Sequence, residues 1–199
     1  MNNTRAALAI LIEDAPSVRI LDSVRSKYDR AYSRWMPHIN IFFPFVSEDE
    51  LPAVATALER GLKQVAPFRL CLDSFSSFSQ RHGATVHLHP TSKESIKNMQ
   101  NLYRHTCAAL PCHKPPRTQF RPHLTLGQWR TLSDALPILK DSMGEFELEL
   151  EVHSLCLITR PADGPFTVWK RIPLGQSEGK VAMEQVLMVN QDSTEAAEE

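Results

Sequence analysis

Arg121-Pro122-His123-Leu124-Thr125-Leu126-Gly127 repeats, in outline, an earlier stretch, Met36-Pro37-His38-Ile39-Asn40-Ile41-Phe42. In each, a His follows a Pro. An apolar residue, a small hydrogen-bonding residue and another apolar residue come next. Side chains alternate between the faces of a strand. That puts His38, Asn40 and Phe42 on one face, with Ile39, Ile41 and Phe43 on the other, and it puts His123, Thr125 and Gly127 together in the second copy. The copies lie nearly half the chain apart, which predicts two similar halves meeting at one site.

The elements around these stretches fit that expectation. Ala6 to Ile12 is a compact apolar run and reads as a buried strand. Val18, Leu21, Val24 and Tyr28 recur at helical spacing, predicting a helix capped by Ser17 and running to about Tyr32. After the His38 strand, Ser47-Glu48-Asp49-Glu50 caps a second helix. Phe68 to Leu72 reads as a strand continuing through Phe75 and Phe78, turning at Arg81-His82-Gly83 and returning over Ala84 to Pro90. The second half reads helix from Ser92, the His123 strand, helix from Ser133-Asp134 to Gly144, then Phe146 to Val152 extended by Leu155 to Ile158, with Phe166 to Leu174 returning. The expected organisation is one domain over residues 1–175, with lobes of about 1–90 and 91–175 that can exchange strands. Residues 176–199 read as a linker and an acidic, disordered tail.

Composition narrows the function. The 199 residues are 42% hydrophobic, enough for a sizeable core, and the net charge is −1, which gives no general attraction to nucleic acid. The last ten residues hold Asp192, Glu195, Glu198 and Glu199 and no Lys or Arg. Without them the chain is mildly basic, suited to a few phosphates and not to coating a duplex. Cys71, Cys107, Cys112 and Cys156 form no C-x-x-C pair, so no zinc framework is expected, and Cys112-His113 is only a weak metal-like cluster. A reduced compartment, cytoplasmic or nuclear, and no membrane association are expected.

Two histidines flanking an anion can run general-base and general-acid steps together. Asn40 and Thr125, two residues on, return to the same faces and can donate hydrogen bonds to anionic oxygens. Such a set suits in-line attack at a phosphodiester without a metal or other cofactor. Arg121 stands beside the second motif in a basic, Pro-rich loop (Lys114 to Arg121), where it can reach a phosphate. Trp129 and Trp35 can stack on a base or pack inside; Phe42 reads as core, and His87 and His89 share a strand face that can approach the cleft or, as favoured, face water.

His123-Leu124-Thr125-Leu126 and His38-Ile39-Asn40-Ile41 resemble the paired His-x-(Thr/Ser)-apolar motifs of the 2H phosphoesterases, the group of the RNA 2′,3′-cyclic phosphodiesterases and 2′-5′ RNA ligase-like proteins. Asn40 departs from the pattern. Flanking residues Phe43-Pro44-Phe45, Ile158-Thr159-Arg160 and Trp169 to Gly175 look like a eukaryotic branch. The resemblance covers residues 6 to 175. It implies an α+β bilobal fold: two antiparallel sheets related by a pseudo-twofold, helices outside and a central cleft. It also implies a monomer acting without metal on an RNA 3′ end or small nucleotide, with His38 and His123 catalytic and Asn40 and Thr125 on the phosphate. The alternative is a nucleotide-binding module of the same fold with little turnover.

Overall fold

The computed structural model describes residues 5–113, 119–144, 146–162 and 164–175. The basic segment 114–118 and the tail 176–199 lie outside the described residues. The elements run β1 (Ala6–Leu11), α1 (Ala15–Tyr28), β2 (His38–Phe42), α2 (Leu51–Gly61), β3 (Phe68–Leu72), β4 (Ser74–Gln80), β5 (Gly83–His89), α3 (Lys93–Ala109), β6 (Leu124–Trp129), α4 (Leu132–Met143), β7 (Leu148–Val152), β8 (Ser154–Thr159) and β9 (Thr167–Pro173).

Seven strands form one sheet in the order β4-β5-β6-β2-β1-β8-β9, and β3 and β7 form a separate two-stranded ladder. Every pairing is antiparallel. Apart from the edge strand β9, the order is symmetric about the β6–β2 seam, where the residue pair Ile39–Leu124 joins the two halves. The repeat is legible as topology: β1-α1-β2-α2-β3-β4, then β5-α3-β6-α4-β7-β8, with β9 added. Each unit lends its last strand to the other, because β4 pairs with β5 and β8 pairs with β1. The two antiparallel sheets expected from the sequence are therefore the two halves of one sheet.

Apolar alternation builds the core on one face. Ala6, Leu8 and Ile10 of β1, Ile39 and Ile41 of β2, Val86 and Leu88 of β5, Leu124 and Leu126 of β6, and Leu155 and Leu157 of β8 are all buried under the helices. On the opposite face a smaller apolar cluster gathers Ala7, Ala9, Cys156, Ile158 and Phe166 with Trp35 and Phe43. The motif side chains stand beside this second cluster.

Local chemistry shifts several expected boundaries. Asp14, not Ser17, caps α1: its carboxylate accepts from the Ser17 N–H at 3.0 Å. The helix stops at Tyr28, not Tyr32, and the chain turns through Asp29. Thr131 opens α4 in a capping box with Asp134, two residues before the expected start. The run from Phe68 to Phe78 is two strands in two sheets, parted at Asp73, whose carboxylate holds the backbone N–H of Thr91 at 2.8 Å. β7 and β8 part in the same way at His153. An alternating pattern predicts a strand but not its partner, so a change of sheet within one run leaves no mark in it.

Candidate active site

Both motif strands break strict pairing at the same place. In β2, Leu8 faces Phe42 and Ala9 faces Asn40, so Ile41 is an extra residue. In β6, Val86 faces Gly127 and His87 faces Thr125, so Leu126 is extra. Each bulge lies three residues after its histidine, and a bulge reverses the alternation beyond it. This corrects two facing expectations. Phe42 leaves the face of His38 and Asn40 and enters the core, stacked on Phe45 at 5.4 Å. Gly127 turns away from His123 and meets α1; a Cβ there would lie 2.7 Å from the Tyr28 backbone. The bulges confine each motif's polar contribution to two side chains.

The Ile39–Leu124 pair sets those side chains next to one another. By its register His38 comes opposite Thr125, and Asn40 opposite His123, all on the face away from the core. Each imidazole is fixed by the same device: Nδ1–H donates to the carbonyl two residues back. For His38 this is Met36 O at 2.8 Å, and for His123 it is Arg121 O at 2.7 Å. With Nδ1 carrying the proton, Nε2 of neutral His38 is an acceptor, and the Asn40 amide donates to it at 2.9 Å. Asn40 Oδ1 is buried with no protein partner among the described residues.

The surroundings differ. His38 is stacked on Trp35 at 4.3 Å, and Trp35 is itself stacked on Phe166 at 3.8 Å. Arg25, almost wholly buried, donates to the Trp35 carbonyl at 2.8 Å and to Asp29 at 3.1 Å, anchoring this loop. Burial lowers the His38 pKa to about 4, and the positive charges of Arg25 and His123 push it the same way. His123 instead meets Phe78 edge-on at 4.8 Å and His87 at 5.1 Å. His87 is buried, not solvent-facing as expected, and stacks on Phe78 at 4.2 Å. Burial, then the charge of His123, lowers its pKa to about 4 as well.

Asn40, His123 and Arg121 line one cavity of about 120 Å³ with Tyr103, Gln119 and Phe120. The Arg121 guanidinium is exposed and donates to Gln119 at 3.1 Å. Trp129 is not brought to this cavity: it lies against Tyr28 of α1, with ring centroids 4.8 Å apart. Trp35, left open between stacking on a base and packing inside, packs against His38 and Phe166; Phe78, His87 and Phe120 are neighbours that the sequence did not single out as site residues. The shared face of Thr85, His87 and His89 was the available signal for His87. Among the described residues, the group with metal-ligand spacing is Cys71, Glu147 and Glu149, at the β3–β7 ladder and away from the histidines. His113 of the Cys112-His113 pair faces Glu50 at 3.7 Å. No helix among the described residues is long and apolar enough to cross a membrane.

The family model described as the 2′-5′ RNA ligase superfamily matches residues 12–164. The chain belongs to this superfamily. The paired histidine motifs make it a 2H phosphoesterase, as their resemblance implied. A relative from Halalkalibacterium halodurans, which carries a provisional phosphoesterase name, is 30% identical over 175 residues, 84% of this chain and 96% of its own. A similarly named protein of Bacillus licheniformis is 28% identical over 160 residues, 78% of this chain and 90% of its own. The eukaryotic branch suggested by the flanking residues gains no support from these bacterial relatives. Among solved structures, LigT of E. coli complexed with 3′-AMP aligns with a TM-score of 0.54 at 17% identity, covering 87% of this chain and 99% of LigT. TT0787 of Thermus thermophilus aligns at 0.56 and 18%, covering 87% and 100%. Usb1 of Kluyveromyces marxianus aligns at 0.52 and 12%, covering 87% and 99%. At these identities the likeness carries the fold: this 2H phosphoesterase shares the α+β architecture of LigT and TT0787.

Proposed function

We propose that this 2H phosphoesterase is a metal-independent phosphodiesterase acting on RNA ends or small nucleotides, opening 2′,3′-cyclic phosphates. The observation that carries this reading is the register of the Ile39–Leu124 pair, which sets His38 beside Thr125 and Asn40 beside His123 on one face, with Asn40 and His123 lining the cavity. The bacterial relatives' phosphoesterase names and the 3′-AMP held by LigT support it.

The asymmetry of the two rings supports an assignment of roles. His38 stays neutral at pH 7 and presents Nε2 as a base. The Asn40 amide occupies that lone pair until a phosphoryl oxygen, a stronger acceptor because it is charged, draws the N–H away. His38 then takes a proton from water, whose oxygen attacks phosphorus. The bond from phosphorus to one ribose oxygen breaks, and His123 gives that oxygen its proton. Asn40, Thr125 and Arg121 hold the non-bridging oxygens while charge develops. The product is a nucleoside monophosphate with a free neighbouring hydroxyl.

The test is hydrolysis of 2′,3′-cyclic nucleotides after exhaustive EDTA treatment. Turnover that survives EDTA and is lost in His38→Ala and in His123→Ala is expected. Turnover that needs an added divalent ion, or persists in both variants, would overturn the reading. Asn40 favours one second reading. An amide resting on the base can also describe a nucleotide-binding module, which would bind mononucleotides and turn over no cyclic, 2′-5′ or 3′-5′ substrate.

A further inference from the structure

The catalytic cavity, at about 120 Å³, suits a phosphate but not a nucleoside as well. Small-molecule sites usually measure ~300–1,000 Å³. A second cavity, of about 310 Å³, adjoins it, and Phe120 and Arg121 line both. Its floor is the site face of the β4–β5 hairpin, where Ser76 lies opposite His87 and Phe78 opposite Thr85. Gln100 of α3 borders it from the helix side, and His89 and Pro90 border it at the end of β5.

The chemistry of this lining is selective. Phe78 and Phe120 offer flat apolar rings. Ser76, Gln100 and His87 offer hydrogen-bonding groups, and burial keeps His87 neutral at pH 7. Among the described residues no Asp, Glu or Lys lines the cavity, and the formal charge they bring is that of Arg121, on the wall shared with the phosphate site. A lining of this kind fits an uncharged heteroaromatic group with donors and acceptors at its edge, joined to an anion beside Arg121. The back wall is His87, whose ring also touches His123 at 5.1 Å, so a ligand here lies on the side of the proton donor and of the departing ribose oxygen.

We propose that this second cavity binds the nucleobase of the substrate, with Ser76, His87 and Gln100 contacting its edge and Arg121 bridging to the phosphate. The proposal rests on the reading of the site as one for nucleotides and assigns where the base goes. Recognition of the base then belongs to the β4–β5 hairpin and α3, not to the motif strands.

The test is equilibrium binding to the full chain by titration calorimetry, using the four nucleoside 3′-monophosphates and ribose 5-phosphate as probes. Nucleotides are expected to bind at least tenfold tighter than ribose phosphate. Gln100→Leu and Ser76→Ala should each reduce that preference by about three- to tenfold, the worth of one hydrogen bond. Gln100 is exposed on its helix, so its replacement leaves folding intact, as circular dichroism would verify. Equal binding of nucleotide and ribose phosphate, or a preference unaltered in both variants, would overturn the proposal. Because the measurement needs no turnover, it separates the two readings. Base-dependent binding without hydrolysis would keep the pocket and remove the phosphodiesterase. Hydrolysis with no contribution from the base would do the reverse.

Discussion

The strands β2 and β6 share one plan and use it differently. Each carries a histidine whose Nδ1 is held by the carbonyl two residues back, and each has a bulge three residues after that histidine. The residue after the bulge is Phe42 in one strand and Gly127 in the other. Phe42 fills the core with its own ring, whereas Gly127 leaves room for the backbone of Tyr28. The ring of His38 is walled by Trp35 and covered at Nε2 by Asn40. His123 lies against His87 and beside a cavity. The difference teaches that a shared backbone fixes where two imidazoles stand, while their neighbours decide what each can do with a proton.

The strongest way to break the comparison is to remove the rings. On the proposed mechanism His38→Ala and His123→Ala should each lower kcat/KM on a cyclic nucleotide by about 10³-fold, and the double variant should be little worse than either, because the proposed base and acid would serve one step. Additive losses, seen in steady-state kinetics, would mean that the rings do not act as a unit.

The bulge residues come next. Gly127→Ala pushes a methyl into the Tyr28 backbone at 2.7 Å and should destabilise the fold by about 1–3 kcal/mol in urea unfolding. Phe42→Leu, on the matching side, keeps an apolar side chain in the core and should cost less.

His38 and His87 both have folded pKa values of about 4 against 6.5 for the free side chain. Between those values the unfolded chain binds more protons than the folded one. Stability is therefore full above pH 6.5 and is lost as pH falls toward 4. Each histidine should contribute a loss on the order of 2 kcal/mol by pH 4.5. Urea midpoints at pH 7 and 4.5 measure it, and His87→Phe should flatten the dependence.

Trp35 sharpens the difference between the rings. If it keeps His38 dry, Trp35→Ala should raise the His38 pKa and move the acid limb of the kcat/KM profile up by about one pH unit. NMR titration of the His38 ring reads the same shift without turnover. The smallest effect is expected at Asn40: Asn40→Thr restores the symmetry of the motifs and keeps a donor on the phosphate, so kcat should change by less than about fivefold. Asn40→Ala, which removes the donor, should fall further.

The sequence by itself determined the α+β class and most of the elements, because burial on one face writes its period directly into the chain. It marked His38, Asn40, His123 and Thr125 as candidates, because a polar residue every second position in an apolar strand marks a face. It did not determine which residues stand around them. Ile41 and Leu126 look like ordinary apolar strand positions, yet each is unpaired, and so Phe42 and Gly127 turn inward against their expected facing. His87 is favoured as a surface residue until β5 is paired with β6, and Trp129 stays open between site and interior until α1 is laid on β6. Pairing partners, bulges and helix packing join residues distant in the chain, and a local pattern holds no record of them. Tertiary structure alone gave the two histidines unequal surroundings, because which rings and charges pack around an imidazole is set by how the strands and loops meet.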